Sequence, residues 1–181
     1  APGPGFASGN GSGASITNSI IRTTGDAPAL SVGYQYPESG AVTTVTYSNL
    51  TGGEAGVDFY NGNTEENLNW GDGNIDVDPN FTSIPGGDYT LQWPSPCINS
   101  GYPYTYDPDG TIVDMGAYYF DLSDAIFGCT DEFATNYNQE ATLDSGECIY
   151  HEGTQWYVHF QANGDGVPLN DGSESAPFHS I

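Results

Sequence analysis

The sequence predicts an all-β fold with short strands and long loops, and three observations support this prediction. Helical periodicity is nearly absent from the 181 residues, whereas 25 Gly and 12 Pro recur throughout the chain. Short runs rich in β-branched and aromatic residues lie between the Gly- and Pro-containing loops. The first two runs begin about 26 residues apart, a spacing that is typical of solenoid repeats.

Six runs have strand character, and the last of them alternates most clearly. Trp156, Val158 and Phe160 fall on one face of that run, while Tyr157 and His159 fall on the other. A β-sandwich would also contain many short strands, but its tight Asn-Gly hairpin turns are scarce here. The six runs are SITNSII (15–21), AVTTVTYSNL (41–50), GVDFY (56–60), DYTLQW (88–93), MGAYYF (115–120) and QWYVHF (155–160).

The net charge of −23 restricts the partners of the chain. Arg22 is the only Lys or Arg against 24 Asp and Glu, so the cations that hold nucleic acid phosphates or an anionic membrane are missing. Crowded carboxylates repel one another, and their oxygens suit hard cations. We therefore expect calcium in the structure. The alternative is that the acidity serves only solubility in a salty medium.

Three cysteines indicate an oxidising compartment only weakly, because their number is odd. The opening residues, APGPGFASGNGSG, lack the basic start and the apolar core of a signal peptide. No apolar run approaches the ~20 residues of a membrane-spanning helix. If the protein is exported, we expect its targeting segment to lie elsewhere or to have been removed.

Motifs in the order NSII, VTYSN, GNIDVDPNF, SPCINSG and DMGAY resemble the C-terminal end of bacterial secreted right-handed parallel β-helix proteins. This resemblance covers roughly residues 14–121. The segment GCTDEFATNYNQEATLDSGECIY resembles a short Cys-bracketed module of aquatic bacteria. The tail, from WYVHF to APFHSI, resembles the start of another β-helix. The chain therefore looks like a segment of a longer protein or a single repeating unit.

The resemblance implies three domains and a structural role. Residues 1–121 would be the closing rungs of a right-handed parallel β-helix (a solenoid) with long loops, and 122–150 a disulfide-bonded, calcium-binding acidic connector. Residues 151–181 would open the next β-helix, with 155–181 exchanged between copies joined head to tail. The protein would then be an extracellular or cell-surface fibre subunit, stalk or adhesin.

The connector is expected to be held by a Cys129–Cys148 disulfide, because the two cysteines match those that bracket the resembling module. Such a loop would be stabilised by roughly 3 kcal/mol. Cys97 is then left over and is expected to be buried by packing. The alternative for the acidic and amide side chains of the connector is that they form turns facing water. The candidate calcium ligands are Asp131, Asn136, Asn138, Asp144 and Glu147.

Two further patterns are weaker. The loop 72–78, DGNIDVD, has the alternate oxygen spacing of an EF-hand, but Val77 and Ser83 stand where Gly and Glu are required. We interpret it as a polar loop that ends a rung. Three N-X-Ser/Thr sequons could carry sugar in an organism that N-glycosylates. Their acceptors are Asn10, Asn49 and Asn80.

An enzyme is not expected, although many parallel β-helices cleave polysaccharides. Arg22 alone cannot serve both as the base and as the clamp of a lyase, and an acidic surface repels polyuronates. The acids at 107–114 lie in a closing loop, and the three histidines lack a nucleophile at a recognisable spacing. The alternative function is a carbohydrate-binding β-helix module that uses its 13 Tyr and 3 Trp; a fragment of a polysaccharide lyase or hydrolase is the third. The residues concerned are Asp107, Asp109, Asp114, His151, His159 and His179.

Overall fold

The computed structural model describes residues 6–8, 13–33 and 40–150. The sequon at Asn10, the three histidines and the whole segment 151–181, with its strand expected at 155–160, lie outside these residues. The chain divides into two compact units, Ala1–Asp124 and Ala125–Ile181. The boundary expected from the sequence lies after residue 121.

The described residues form small sheets, few helical turns and no closed barrel, so the predicted all-β class is correct. Within these residues, ten strands belong to the first unit and two to the second. Two short 3-10 helices, Glu54–Gly56 and Glu65–Asn67, lie between strands. The strands are β1 (Phe6–Ser8), β2 (Ser15–Thr17), β3 (Ile20–Ile21), β4 (Leu30–Val32), β5 (Thr43–Thr46), β6 (Asn49–Leu50), β7 (Asp58–Phe59), β8 (Leu68–Trp70), β9 (Phe81–Ser83), β10 (Asp88–Leu91), β11 (Phe127–Gly128) and β12 (Leu143–Asp144).

Parallel pairing dominates the first unit. Three of its four described sheets have the orders β1-β4-β7, β2-β5-β8 and β3-β6, and all of these neighbours are parallel. Paired residues are 24 to 29 positions apart, from Phe6 with Leu30 to Ser15 with Thr44. Each stretch of 24 to 29 residues therefore contributes one strand to each of two or three sheets. The chain then returns to lie beside the start of that stretch.

One corner of this arrangement repeats at the same place in successive turns of the chain. Asn18, Tyr47 and Gly73 all have positive φ, at 49°, 46° and 75°. Asn and Gly adopt this left-handed conformation readily, whereas Tyr does so at a cost. A Cβ on Gly73 would lie 2.3 Å from the ring of Tyr47, so the glycine leaves room for that ring.

A polar ladder follows the corner. The N–H of Ser19 donates to Ser48 Oγ at 3.1 Å, and the N–H of Ser48 donates to Asn74 Oδ1 at 3.1 Å. Asn74 Nδ2 in turn donates to the carbonyls of Val45 and Gly71. These side chains satisfy backbone groups where the strands are interrupted, so the corners stay in register.

The main apolar core lies between the parallel sheets. Val32, Val45 and Leu50 are fully buried, and all three residues of β4 are buried. In β5 the burial alternates, as expected for a strand with one face on a core. Each fully buried Val or Leu stabilises the fold by about 1.5–3 kcal/mol. The cluster comprises Ile16, Ala29, Leu30, Val32, Ala41, Val45 and Leu50.

A second core cluster lies under the antiparallel hairpin β9–β10 and the loop that follows it. Leu91, Cys97, Ile98 and Met115 are buried there. The strand predicted at 115–120 is wrong: only Met115 of its first five residues is buried, and the segment pairs with no strand. Its amides are taken by loop partners instead, since Met115 N–H donates to the Cys97 carbonyl.

The second unit contains the parallel pair β11–β12. No helix among the described residues is both long and apolar enough to cross a membrane.

Candidate functional site

A disulfide joins Cys129 and Cys148, the pairing expected from the sequence, with their Cα atoms 4.9 Å apart. Cys129 follows β11 and is buried. A Cβ on Gly128 would lie 2.8 Å from the amide nitrogen of Asn138, so this glycine allows the loop to close on itself. The connector has too few apolar residues to form a core of its own. The disulfide and the closed loop therefore supply its rigidity.

Two acids of the connector face hydroxyl donors. Asp131 Oδ2 accepts a 2.6 Å hydrogen bond from the hydroxyl of Tyr150. Asp144 Oδ2 accepts one at 2.9 Å from the hydroxyl of Thr130. The pKa of Asp131 is held below the usual value of 3.8, mainly by the hydrogen bond from the Tyr150 hydroxyl. The pKa of Asp144 is also lowered, first by the hydrogen bond from the Gly146 amide and second by the one from the Thr130 hydroxyl. Both carboxylates are therefore charged at neutral pH.

The amides of the connector join distant parts of the loop. Asn136 Nδ2 donates to the carbonyl of Glu147 at 2.8 Å, and its Oδ1 accepts from the N–H of Ile149 at 2.7 Å. Asn138 Oδ1 accepts from the N–H of Glu140 at 3.0 Å in a local turn. These contacts match the interpretation in which the polar side chains form turns.

The five candidate calcium ligands are thus used largely in turns and cross-loop hydrogen bonds. Among the described residues no group of three or more His, Cys, Asp or Glu is arranged to hold a metal ion. Calcium in the connector stays a prediction.

The side chains of the loop 72–78 form hydrogen bonds within the first unit, which agrees with its interpretation from the sequence as a polar loop. Asp76 accepts from Arg22 at 3.1 Å and from the N–H of Gly52 at 3.0 Å. Asp78 accepts from the N–H of Asn80 at 2.9 Å. The oxygens of this loop therefore bind the chain itself.

Arg22 is held in an ion pair. Its NH1 donates to Asp76 Oδ1 at 3.1 Å and to Asn49 Oδ1 at 3.2 Å, and its side chain is 31% exposed. One nitrogen of the guanidinium is therefore engaged within the first unit.

The three acids at 107–114 accept hydrogen bonds from backbone amides. Asp114 is 3% exposed and accepts from the N–H of Asn99 at 2.7 Å and of Phe120 at 2.6 Å. Asp107 accepts from the N–H of Asp114, and Asp109 from that of Leu122. Burial raises the pKa of Asp114, and the neighbouring acids add to this. These carboxylates fasten the long segment 95–122 after β10, which is called the closing loop from here on.

Two of the sequon acceptors lie within the described residues. Asn49 is fully buried, and its Nδ2 donates to the Val77 carbonyl and to Cys97 Sγ, so the folded chain does not present it to a glycosylating enzyme. Asn80 Nδ2 donates to the carbonyl of Gln92 at 3.1 Å and is partly exposed. Cys97 is free and buried.

Sequence reasoning missed a groove on the first unit, here called the aromatic groove, with a volume of about 580 Å³. It lies between the corner before β3, the hairpin β9–β10 and the closing loop, three segments that are far apart in the chain. The runs DYTLQW and MGAYYF contain two of its aromatic residues, Tyr89 and Tyr118, but only the fold brings them beside the corner. Its wall includes Asn18, Arg22, Phe81, Tyr89, Gly116 and Tyr118.

Neither the protein-family models nor the curated proteins nor the solved structures yielded a match to this chain.

Proposed function

We propose that the chain is an extracellular structural unit, part of a fibre, stalk or surface adhesin, in which copies join head to tail. Its first unit would be a portion of a right-handed parallel β-helix, and residues 155–181 would add a strand to the next copy. The observation that carries this proposal is the parallel pairing of strands 24 to 29 positions apart in three separate sheets.

Repeated parallel strands favour a mechanical role. In such an arrangement each turn pairs its backbone with the turn above and below, so stiffness accumulates along the axis. The core residues of β2, β4 and β5 and the Ser19–Ser48–Asn74 ladder keep successive turns in register. Arg22 and the acids at 107–114 are engaged in holding the chain together, which supports a role without catalysis.

The first turn offers an edge for a further strand. The N–H of Thr44 donates to the Ala14 carbonyl, so Ala14 faces β5. In a parallel ladder successive residues face opposite edges, and Ser15 therefore points its N–H and C=O away from β5. Within the described residues β2 has β5 as its only strand partner. A strand from another copy would satisfy this edge.

The connector would join one β-helix to the next. Its disulfide fits an oxidising, extracellular setting. The proposal includes calcium, which the sequence predicts, as an ion that would make the connector rigid.

The experiment is light scattering of the purified chain across a range of concentrations. We expect the mass to rise with concentration in multiples of the 19.2 kDa chain. Two variants test the route of assembly. Deletion of residues 151–181 removes the donated strand, and Ser15→Pro removes the outward amide at the first position of β2, where proline is tolerated.

Both variants should remain monomeric under conditions in which the wild type associates. Thr82→Pro, at the centre of β9 and away from the β2 edge, serves as a control for nonspecific effects of proline in a strand. A wild type that stays monomeric at high concentration, or variants that associate equally well, would contradict the head-to-tail proposal.

A further inference from the structure

We propose that the aromatic groove binds a neutral sugar unit of a glycan. The groove belongs entirely to the first unit and does not depend on the assembly proposed above. Its volume of about 580 Å³ falls within the ~300–1,000 Å³ of typical ligand sites. Like those sites, it combines aromatic walls with a few polar groups at one end.

Three rings from two segments, the hairpin β9–β10 and the closing loop, line the groove. Phe81 and Tyr89 pack edge to face across the hairpin β9–β10, with their ring centroids 5.5 Å apart and their planes at 87°. Tyr118 comes from the closing loop. Tyr89 is 50% exposed and Tyr118 58% exposed, so both offer ring surface to a ligand. The C–H face of a pyranose ring is apolar and flat, and it packs well on such rings.

The polar end contains donors that the fold leaves available. Arg22 uses only its NH1 for Asp76 and Asn49; within the described residues its Nε and NH2 make no hydrogen bond. Asn18 Oδ1 accepts from the N–H of Tyr102 at 2.7 Å, which orients the side chain and leaves its Nδ2 without a partner in that part of the chain. These N–H groups suit the hydroxyl oxygens of a sugar.

The polar end is also firmly held. The N–H of Gly116 donates to the carbonyl of Asn18 at 2.8 Å, which joins the closing loop to the corner before β3. A Cβ on Gly116 would lie 3.1 Å from Ile20 Cδ1, and the positive φ of 115° favours glycine at this position. Because the donors are positioned in advance, little conformational entropy is lost when a ligand binds.

The charges favour a neutral sugar over a uronate. The only Lys or Arg of the chain is already paired with Asp76 at 3.1 Å, so it presents little net charge to a ligand. The remaining charge of the molecule is strongly negative and repels an anionic glycan at long range. Hydroxyl recognition and ring stacking require no charge on the ligand.

The test is calorimetric titration of the full chain with neutral hexa-oligosaccharides of glucose, mannose, galactose and xylose, alongside polygalacturonate and alginate. We expect at least one neutral glycan to bind and the two uronates not to bind. Tyr118→Ala and Tyr89→Ala should each weaken binding by about tenfold, through loss of ring surface. Arg22→Gln should weaken it as well, by removing charged donors.

Tyr104→Ala is the matched control, because Tyr104 is 77% exposed and does not line the groove. It should bind with unchanged affinity. Melting temperatures of all variants separate lost binding from lost folding, and Tyr118→Ala at an exposed site is expected to fold normally. The proposal is overturned if no neutral glycan binds, if only uronates bind, or if Tyr89→Ala and Tyr118→Ala bind as the wild type does.

Discussion

Asn49 Nδ2 donates to the sulfur of Cys97 at 3.1 Å, and this contact joins the parallel strands to the closing loop. Asn49 also accepts from Arg22 and from the N–H of Val77, and it donates to the Val77 carbonyl. One fully buried amide therefore links four segments of the first unit. Burial raises the pKa of the Cys97 thiol, so the sulfur accepts this hydrogen bond as a neutral group.

Replacement of Asn49 should cost substantial stability. Asn49→Ala removes four hydrogen bonds, two of them to the Val77 backbone, and leaves the buried Cys97 sulfur without this donor. A buried group left without its hydrogen bond costs about 1–3 kcal/mol. We expect a loss of about 2–4 kcal/mol in the free energy of unfolding, measured by urea denaturation. Asn69→Ala, at an exposed position of β8, should change it by less than about 0.5 kcal/mol. Equal effects of the two substitutions would show that the Asn49 network contributes little.

Gly101 tests how closely the closing loop approaches the corner before β3. A Cβ at this position would lie 2.6 Å from the Val113 carbonyl oxygen and 3.0 Å from Asn18 Oδ1. Since backbone cannot easily move away, Gly101→Ala should destabilise the first unit by about 1–3 kcal/mol. The control is Gly56→Ala, whose Cβ would meet only the Thr51 oxygen at 3.4 Å. Thermal denaturation that ranks the two variants in the opposite order contradicts the described packing.

The solenoid-like spacing was accessible from the sequence because β2 and β5 are rich in β-branched residues and are followed within three positions by both Asn and Ser. Six of the described strands, β1, β4, β8, β9, β11 and β12, lie outside the predicted runs, and three of them show why. Leu30–Val32 is too short and too uniformly buried to alternate, and Leu68–Trp70 and Phe81–Ser83 are three-residue strands with polar neighbours. Such strands exist because tertiary pairing stabilises them, which a local pattern does not reveal.

The features of the candidate site also divide into those that the sequence predicts and those that it does not. The disulfide follows from the bracketing cysteines, whereas the partners of the acids depend on tertiary contacts that the spacing does not encode. Asp131 meets Tyr150, 19 positions away, and Arg22 meets Asp76, 54 positions away. The aromatic groove was missed for the same reason, because Asn18, Tyr89 and Tyr118 are brought together only by folding.

The hydrogen bond from Tyr150 to Asp131 should be visible in the pH dependence of the connector. Asp131 has a lowered pKa in the folded chain, so its contribution to stability is full above the usual pKa of 3.8 and is lost as the pH falls through the lower folded value. In Tyr150→Phe the hydroxyl is gone, and the pKa of Asp131 should rise toward 3.8.

Carboxyl NMR titration of Asp131 checks this expectation. Tyr137→Phe is the control, because Tyr137 is also a half-exposed tyrosine of the connector and its ring oxygen has no described hydrogen bond to Asp131. An Asp131 titration that is unchanged in Tyr150→Phe would contradict the contact.

Calcium binding by the connector can be separated from simple charge screening. Any salt should raise the melting temperature somewhat, because a net charge of −23 repels itself. The predicted site requires a further rise with millimolar Ca²⁺ that Mg²⁺ and NaCl at equal ionic strength do not reproduce. Asp131→Asn and Asp144→Asn should reduce this further rise, whereas Glu54→Gln in the first unit should not. Identical melting curves in the three salts would rule out a calcium-specific site.

Electron microscopy of the purified chain at high concentration tests the structural role most directly. We expect linear assemblies for the wild type and isolated particles after deletion of residues 151–181, because the edge of β2 would then receive no strand. A field of isolated particles from the wild type, or filaments that persist in the deletion variant, would contradict head-to-tail joining through that segment.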